Sequence, residues 1–367
     1  MKRSALSQVK VTRLGVALEP QGDLEAEGIL NPAGCFDRDH KLLLFPRAVE
    51  RGNRSRIGIV RVDREFDSIE CTRLGFALTP ATPDELNGNG GEGCEDPRVT
   101  YIDWLNSYLM AYTAYGLNGP RIGIAVSQDA HHWERVGVVQ FPHSLGLHPD
   151  DKDAAFFPTP VFSPSGELSI AMYHRPMVAP SALGSDAIQS ILAHVPEERQ
   201  CIRIAYTPLS AMSLAFSKSK RRRHLEAFKP LTRPTESHLV LAPSSDWGTV
   251  KVGGGSAPVQ IDEGWLSVYH GVDAIPTASG SYQMQYSAGL VVHDRMQPHR
   301  ILYRSPEPIM VPSTPDELEG AVNSVVFPTL LVRRWDLGAR KFDGYYGMAD
   351  SKIGRFRLQL PESLLKR

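Results

Sequence analysis

The residues best suited to chemistry begin with an acidic pair in GCEDPRVT, residues 93–100. Glu95 and Asp96 lie directly before Pro97, where an apolar run predicts the start of a strand. One interpretation is that Asp96 caps a turn, a common role for Asp. The other is that Asp96 points into a site as an acid. Because side chains alternate along a strand, Glu95 is predicted to face the other way, and either to be structural or to support the residues that contact the substrate.

Basic side chains stand in comparable motifs further along the chain. Lys152 lies in DKDAAFFP, Arg175 in MYHRP, Lys251 in KVGGGSAP and His270 in YHG. Such a set suits an oxyanion, most simply phosphate, and the glycines after Lys251 allow close approach of a ligand to the backbone. The glycine run is not a P-loop, because the lysine precedes it and no Ser or Thr follows in the required place.

One acid combined with several cations favours a particular way of cleaving a glycosidic bond. Such cleavage needs a proton for the leaving oxygen and a nucleophile on the opposite face, and a hydrolase normally uses a second carboxylate to activate water. Phosphate is already an anionic nucleophile. Asp96 and the cations therefore favour phosphorolysis, with inorganic phosphate as co-substrate and neither cofactor nor metal. Asp153 is the candidate base for hydrolysis, and a salt bridge is the other role open to it.

A repeat predicts the elements that position these residues. Each of five units starts with a proline-containing strand, continues with an apolar and aromatic strand, and ends with a third strand. The first strands are NPAGCF, EDPRVT, FPTPVF, SAPVQI and VFPTLLV, starting at residues 31, 95, 157, 256 and 326. The second strands are KLLLFPRA, SYLMAYTAY, ELSIAMYHRP, GWLSVYHGV and FDGYYGMAD, and the third are RIGIVRV, RIGIAVSQD, CIRIAYTP, YQMQYSAGLVV and KIGRFRLQL.

Five units of antiparallel strands predict an all-β fold, a five-bladed β-propeller formed by one domain over residues 1–367. A β-sandwich is the competing fold. An insertion is expected near 177–235, within the third unit. In a propeller the inner strand ends meet at a central channel, which would bring together residues far apart in sequence. Those residues are Asn31, Arg47, Asp96, Lys152, Asp153, Arg175, Lys251, His270 and Asp350.

Composition excludes several classes of protein. The 367 residues are 42% hydrophobic and 22% charged with a formal net charge of -1, which indicates a globular protein without nucleic acid as its main partner. Four scattered cysteines without a CxxC pair predict neither disulfides nor a zinc site. We expect no signal peptide, no membrane span and a cytoplasmic protein. Assembly into a homo-oligomer stays open.

Two further motifs are read as structural. SQDAHHW, residues 127–133, is similar to the Asp-box turn of some propellers, so His131 and His132 are predicted to be turn residues and not metal ligands. The basic run KSKRRRH, residues 218–224, is interpreted as a solvated face, with polyanion binding as the alternative.

Eight motifs together resemble a known family. In chain order they are NPAG, EDPRVT, KDAAFFP, YHRP, KVGGGSAP, YHGV, VVFPT and YYGMAD, spanning about residues 31–350. They look like glycoside hydrolase family 130, the β-mannoside phosphorylases and related β-mannosidases, on a five-bladed propeller. The resemblance implies inverting, reversible phosphorolysis of β-1,4- or β-1,2-mannosides to α-mannose 1-phosphate and a shortened sugar.

The resemblance also implies roles for single residues. Asp96 matches the general acid, whose proton can pass through a hydroxyl of the bound mannose. Asn31, Arg47 and Asp350 match residues that line the mannose. The positions that match the phosphate site are Lys152, Arg175, Lys251, His270 and Tyr286. For Arg98 a carboxylate pair and a contact with the acceptor sugar stay open, and Asp153 is kept as a substrate-binding candidate.

The sequence departs from the family pattern at two residues. Lys152 stands where some phosphorylases carry Arg, and Pro46 precedes Arg47, which would displace that side chain. The insertion is expected to cover the acceptor side. The alternatives to a phosphorylase are a β-mannosidase of the same family and a non-catalytic sugar-binding propeller.

Overall fold

The structure, a computed structural model, describes residues 9–177, 185–212 and 225–365. β-Strands account for most of these residues, which confirms the all-β expectation. The strands follow one another mainly as antiparallel neighbours, in five units along the chain. Many strands are buried along most of their length, with apolar and small side chains facing neighbours on both faces of the sheet, as in SYLMAYTAYG. Such strands are typical of sheets that are covered on both faces.

The first and second units are joined. The strands Arg54–Glu65 (β4) and Glu92–Ile102 (β6) pair in parallel through two residue pairs, so that both units form one eight-stranded sheet. The strands of the first unit are β2 (Gly28–Phe36), β3 (Leu42–Glu50), β4 (Arg54–Glu65) and β5 (Ser68–Leu78). Those of the second are β6 (Glu92–Ile102), β7 (Ser107–Gly116), β8 (Gly119–Ser127) and β9 (Glu134–Val138).

The third and fourth units are separate sheets of five strands. The third has β10 (Asp151–Phe156), β11 (Val161–Phe162), β12 (Leu168–Pro176), β13 (Ile202–Pro208) and β14 (Glu236–Leu241). The fourth has β15 (Lys251–Gly254), β16 (Val259–Ile261), β17 (Gly264–Pro276), β18 (Tyr282–His293) and β19 (Ile301–Arg304). Their first strands therefore start before the predicted FPTPVF and SAPVQI, which supply only the short β11 and β16.

The fifth unit contains both ends of the chain. Its four strands are β1 (Lys10–Leu18), β20 (Val326–Arg333), β21 (Lys341–Met348) and β22 (Lys352–Gln359). β1 is antiparallel to β22, from the pair Lys10–Gln359 to the pair Leu18–Ile353. The repeat does not predict β1, because KVTRLGVAL lies before the first of the five predicted units, which starts at residue 31.

The hydrophobic core lies between neighbouring units. Five buried clusters occur, and each combines residues of two units. One representative from each side is Phe45 with Tyr108, Leu109 with Phe156, Tyr173 with Trp265, Val268 with Phe342, and Leu44 with Tyr345. The last cluster returns from the fifth unit to the first. Burial of these side chains is the main favourable term that holds the units together.

The first strands of the units also contact one another. β2 contacts β6 and β20, β6 contacts β10, and β10 contacts β15. The Thr329 hydroxyl of β20 donates to the Pro32 carbonyl of β2 over 2.7 Å. Among the described residues, none of the four sheets closes on itself, so strand pairing alone establishes a mostly β chain of several sheets.

The extra residues of the third unit are divided between two places. An α-helix, Ser185–Ala193, and a 3-10 turn, Pro196–Glu198, lie between β12 and β13, and a 3-10 helix, Leu225–Thr232, precedes β14. The predicted insertion 177–235 is therefore interrupted by β13. The basic run 218–224 lies outside the described residues.

Other helical segments are short. They are Asp23–Glu25, Asp103–Leu105, His143–Leu145 and the α-helical turn Pro315–Leu318. Across the described ranges, no helix combines the length and apolar character needed to cross a membrane.

Arg98 braces the second unit against the fourth. Its side chain is buried, and its guanidinium donates to the carbonyls of Gly255 and Gly254 in the fourth unit. It also donates to the carbonyls of Asp96 and Pro97, each over 3.0 Å. Arg98 thus donates to backbone carbonyls, a role that the sequence did not indicate, and it also interacts electrostatically with Asp153 and Asp96. Its contact with the acceptor sugar stays a prediction.

Replacing Arg98 with Leu should destabilise the fold. Leu removes every donor and leaves buried carbonyls without partners, which should lower the free energy of unfolding by about 3 kcal/mol. Denaturant unfolding of the wild type and of Arg98→Leu measures this change, with exposed Arg61 replaced by Leu as the control. A loss of less than about 0.5 kcal/mol, the range of ordinary surface changes, would refute the bracing role.

Candidate active site

Three polar residues stand in the same unusual backbone conformation on three first strands. Asn31, Asp96 and Asp153 have φ angles of 44°, 44° and 58°. Each lies at a register shift between its strand and the next one, between Leu30 and Ala33 in the first unit and at equivalent places in the others. Asn and Asp tolerate this left-handed region better than other non-glycine residues. A bulge re-aims a side chain, and these three point into one polar cluster.

Asp96 is held by partners from the first unit. The Asn31 amide Nδ2 donates to Asp96 Oδ1 over 2.9 Å, and Arg47 Nη1 lies 3.5 Å from the same oxygen. Arg47 is oriented in turn by the Ser55 hydroxyl at 2.9 Å. Pro46 therefore does not displace Arg47 from the site, contrary to the expectation from the sequence. Asn31 and Arg47, two of the residues predicted at the mannose, therefore both adjoin Asp96.

Glu95 belongs to the same cluster, which corrects the prediction that it faces away. Arg47 Nη2 donates to Glu95 Oε1 over 2.8 Å, and Lys152 Nζ donates to Glu95 Oε2 over 3.3 Å. The alternation rule fails because Asp96 leaves the extended conformation at the bulge. Glu95 therefore connects the residues around Asp96 with the first phosphate candidate, Lys152.

A second group forms around Asp153. Arg175 Nε donates to Asp153 Oδ2 over 2.6 Å, and His270 Nε2 lies 3.7 Å from the same oxygen. Gly253 is required here, because a Cβ on it would lie 2.3 Å from both Asp153 Oδ2 and the His270 ring. Asp153 thus makes the salt bridge that the sequence left open.

The remaining phosphate candidates lie beside this group. Lys251 Nζ is 5.1 Å from the centroid of the Tyr286 ring, and that ring is 5.9 Å from the His270 ring. Lys152 Nζ lies 5.4 Å from the Tyr115 ring. The predicted site residues therefore occur together, Asp350 through its electrostatic contact with Asp96 and Arg47, and Arg98 through its electrostatic contacts with Asp153 and Asp96.

The charges of the site displace several pKa values. Burial opposes ionisation of Asp96, yet Arg47 and Lys152 outweigh it and lower the pKa of Asp96. Burial and the nearby Asp96 raise the pKa of Asp350 to about 6. Burial lowers the pKa of His270 to about 3 despite Asp153, so its imidazole is neutral near pH 7. His270 is then a single N–H donor, and not the cation assumed from the sequence.

Sequence reasoning missed a supporting layer. Asp151 Oδ1 accepts the backbone N–H of Arg175 over 2.9 Å, and its Oδ2 lies 2.7 Å from His174 Nδ1. The buried His174 also contacts the Ser237 hydroxyl at 2.8 Å. The only available signal was the acidic character of DDKDAAFF, because His174 and Ser237 are far apart in sequence.

The turn at SQDAHHW has the predicted structure. Asp129 Oδ1 accepts the backbone N–H groups of His131 and His132, each over 2.8 Å, and the Trp133 indole donates to the Ala130 carbonyl. Among the residues that the structure describes, no group of three or more His, Cys, Asp or Glu could hold a metal ion.

A large cavity of about 760 Å³ lies elsewhere. Its lining includes Cys35, Tyr101 and Leu331, which follow Asn31, Asp96 and Pro328 further along the same strands. None of the predicted site residues lines it. The polar cluster is the candidate for the chemistry, because there the partly accessible side chain of Asp96 adjoins Arg47 and Lys152.

Replacing Asp350 with Asn should stabilise the protein in a pH-dependent way. The folded state favours protonated Asp350, so ionisation costs stability as pH rises from about 4 to about 6. Above pH 6 the Asn variant should be more stable by up to about 3 kcal/mol, and below pH 4 the two proteins should be alike in this respect.

Denaturant unfolding at pH 4 and pH 8 measures the difference. Asp262→Asn, at an exposed carboxylate, is the matched control. A difference between Asp350→Asn and the wild type that is the same at both pH values would contradict the raised pKa.

Comparisons with known proteins find phosphorylases that act on mannosides. A family model described as "beta-1,4-mannooligosaccharide phosphorylase" matches residues 52–179 and 203–365. The "1,2-beta-oligomannan phosphorylase" of Thermoanaerobacter sp. (strain X514) is 26% identical over 366 residues, covering 96% of this chain and 99% of that protein.

Solved structures share the fold. A β-1,2-mannobiose phosphorylase from Listeria innocua, solved with β-1,2-mannobiose, gives a TM-score of 0.67 at 19% identity and covers 96% of this chain and 97% of that one. A structure from work on family members that are hydrolases of β-1,2 mannosidic linkages in Candida mannan gives 0.65 at 20% identity, covering 97% and 95%. The family model spans most of the chain, so the chain belongs to glycoside hydrolase family 130, the mannoside phosphorylase family.

Proposed function

We propose that the protein is an inverting β-mannoside phosphorylase and that its five units are the blades of a five-bladed propeller. Five core clusters, each between two successive units and the last between the fifth and the first, support a ring. The pairing of β1 with β22 would close that ring within one blade. In this arrangement the polar cluster lies at one mouth of the central channel.

The proposed reaction exchanges one bond at the anomeric carbon of the mannose. An oxygen of hydrogen phosphate attacks this carbon, and the bond to the leaving sugar oxygen breaks. Asp96 gives its proton to the leaving oxygen, directly or through a mannose hydroxyl, and regains a proton that phosphate loses. The products are α-mannose 1-phosphate and a shortened sugar. Asn31, Arg47 and Asp350 surround Asp96 and are proposed to hold the mannose.

Phosphate would occupy the other part of the cluster. Lys152, Arg175 and Lys251 supply positive charge, and His270 and Tyr286 supply polar hydrogens. Arg175 offers the forked donors that match a phosphate, whereas the lysines act as point charges. The pKa of Asp153 is lowered, so its carboxylate is ionised, and it pairs with Arg175. Its negative charge therefore balances the positive charge of Arg175 before phosphate binds.

The observation that carries the proposal is the difference between two carboxylates. The Asp96 side chain is 11% exposed, whereas that of Asp153 is 2% exposed and bound by Arg175 at 2.6 Å. A water-activating base must be free to accept a proton. Asp153 is not, which weighs against the hydrolase. Asp350 is coupled to Asp96, Arg47 and Glu95, so it lies on the side of the acid and not beside Arg175 and His270.

As the general acid, Asp96 must be protonated, but the positive charges around it favour its ionised form. Arg47 and Lys152 lower the pKa of Asp96, whereas a general acid works best with a pKa near the working pH. A bound phosphate dianion would offset the positive charge of Lys152 and raise the pKa of Asp96. Binding of the nucleophile would therefore prepare the acid.

The defining experiment compares cleavage of β-1,2- and β-1,4-mannobiose with and without phosphate. We expect phosphate-dependent formation of α-mannose 1-phosphate, which NMR identifies together with its anomeric configuration. Asp96→Asn should lower kcat/KM by about 10²- to 10⁴-fold, the usual contribution of a general acid. Asp262→Asn, which removes an exposed carboxylate, should leave activity unchanged.

The same assay separates the rival functions. Mannose released equally fast without phosphate would establish a hydrolase, and no turnover of either disaccharide would favour a sugar-binding protein. The β-1,2 substrate is assayed first, because the relative aligned along nearly the whole chain is named for that linkage.

A second experiment tests the preparation of the acid. Sulfate stays a dianion near neutral pH, so protons taken up when it binds must come to the protein. Calorimetric titration with sulfate in buffers of different ionisation enthalpy should show proton uptake by the wild type and less uptake by Asp96→Asn. Equal uptake by both proteins would contradict the coupling between the anion and Asp96.

A further inference from the structure

We propose that Gln200 is a positioning residue of the phosphate site, which fixes the orientation of Arg175 and its relation to the strand of Lys251. This inference rests on the proposed phosphorylase function and adds to it a residue that neither the motifs nor the charge pattern indicated. Gln200 lies two residues before the start of β13, at the end of the extra segment between β12 and β13.

Gln200 contacts the Arg175 side chain and also the strand that carries Lys251. Its side-chain Oε1 accepts a hydrogen bond from Arg175 Nη1. Its backbone carbonyl accepts the N–H of Val252 over 3.1 Å, and the residue pairs with Lys251 in a parallel bridge. A single residue thus connects an arginine of the third unit with the first strand of the fourth.

Two anchors define the plane of the Arg175 guanidinium. Asp153 holds the Nε edge at 2.6 Å, and Gln200 holds Nη1. An arginine has five donors in a rigid fork, so fixing two of them sets the direction of the others. With Asp153 alone, the guanidinium could still tilt about that single contact. Gln200 therefore determines where the fork meets an oxyanion.

The neutral amide matters as much as its position. Asp153 already compensates one positive charge of the group. A glutamate at position 200 would still accept from Arg175, but it would add a second negative charge beside the phosphate. An amide accepts the hydrogen bond without that charge. The structure therefore separates two contributions, acceptance of a hydrogen bond and preservation of net positive charge.

The backbone of Gln200 is itself held firmly. The neighbouring Arg199 donates to the Thr249 carbonyl of the fourth unit and to the Leu192 carbonyl of the preceding helix over 2.9 Å. Cys201 on the other side is buried. The described end of the extra segment consequently serves the phosphate side of the site, whereas the sequence analysis expected the insertion to cover the acceptor side.

The test uses Gln200→Met, which removes the acceptor at similar size, and Gln200→Glu, which keeps the acceptor and adds charge. In phosphorolysis assays, KM for phosphate should rise about tenfold in Gln200→Met and further in Gln200→Glu. KM for the mannoside and kcat at saturating phosphate should stay within about twofold. The control is Gln359→Met, at an exposed position at the end of β22.

The outcomes distinguish the two proposals. If the wild type requires phosphate but both variants keep its KM for phosphate, the role of Gln200 is wrong and the phosphorylase stands. A merely structural role predicts that Gln200→Glu behaves like the wild type, or that both KM values rise together. Calorimetry with inorganic phosphate alone gives a second readout, because the variants should bind it about tenfold more weakly. A wild type that neither binds nor requires phosphate would refute both proposals.

Discussion

The polar cluster depends on one backbone constraint, the left-handed conformation repeated at Asn31, Asp96 and Asp153. In regular strands these side chains would project from the faces of the sheets, toward the cores between units. A bulge in each first strand turns them away from the alternating pattern. Such backbone costs free energy, and it persists only where the surrounding structure compels it. Here the long strands on either side and the buried clusters between units hold the backbone in this conformation.

Charge compensation is the second organising feature. Glu95 touches both Arg47 and Lys152, and Asp153 touches Arg175, so opposite charges alternate through the cluster. Buried charges without partners would cost several kcal/mol each, and this pairing keeps the site folded before any substrate arrives. The same pairing keeps the cations in place for an anion, which then competes with carboxylates already present. Affinity for phosphate is therefore set by small differences between large opposing interactions.

The sequence predicted the fold class and most of the cluster because the relevant signals are local. Strand periodicity, proline-containing first strands and motifs such as EDPRVT can be read from short windows. It did not predict the orientation of Glu95, because no local pattern shows that the bulge at Asp96 breaks the alternation of side chains. The neutral state of His270 and the supports Asp151, His174 and Gln200 depend on burial and on distant partners. The first strands of the third and fourth units were misplaced because KVGG and DKDAAF carry few of the β-branched residues that mark strands.

The pairing of β1 with β22 has a consequence for how the chain acquires its structure. During synthesis β1 is made before the other four units, and its partner β22 is made only after them. The fifth unit therefore cannot form until those four units have been made, and β1 must remain unpaired in the meantime. Contacts of such large sequence separation are slow to form, and an unpaired strand edge is a place for association with other chains. Any interval between the folding of the earlier units and the arrival of β22 is thus the stage at which this protein is most exposed to aggregation.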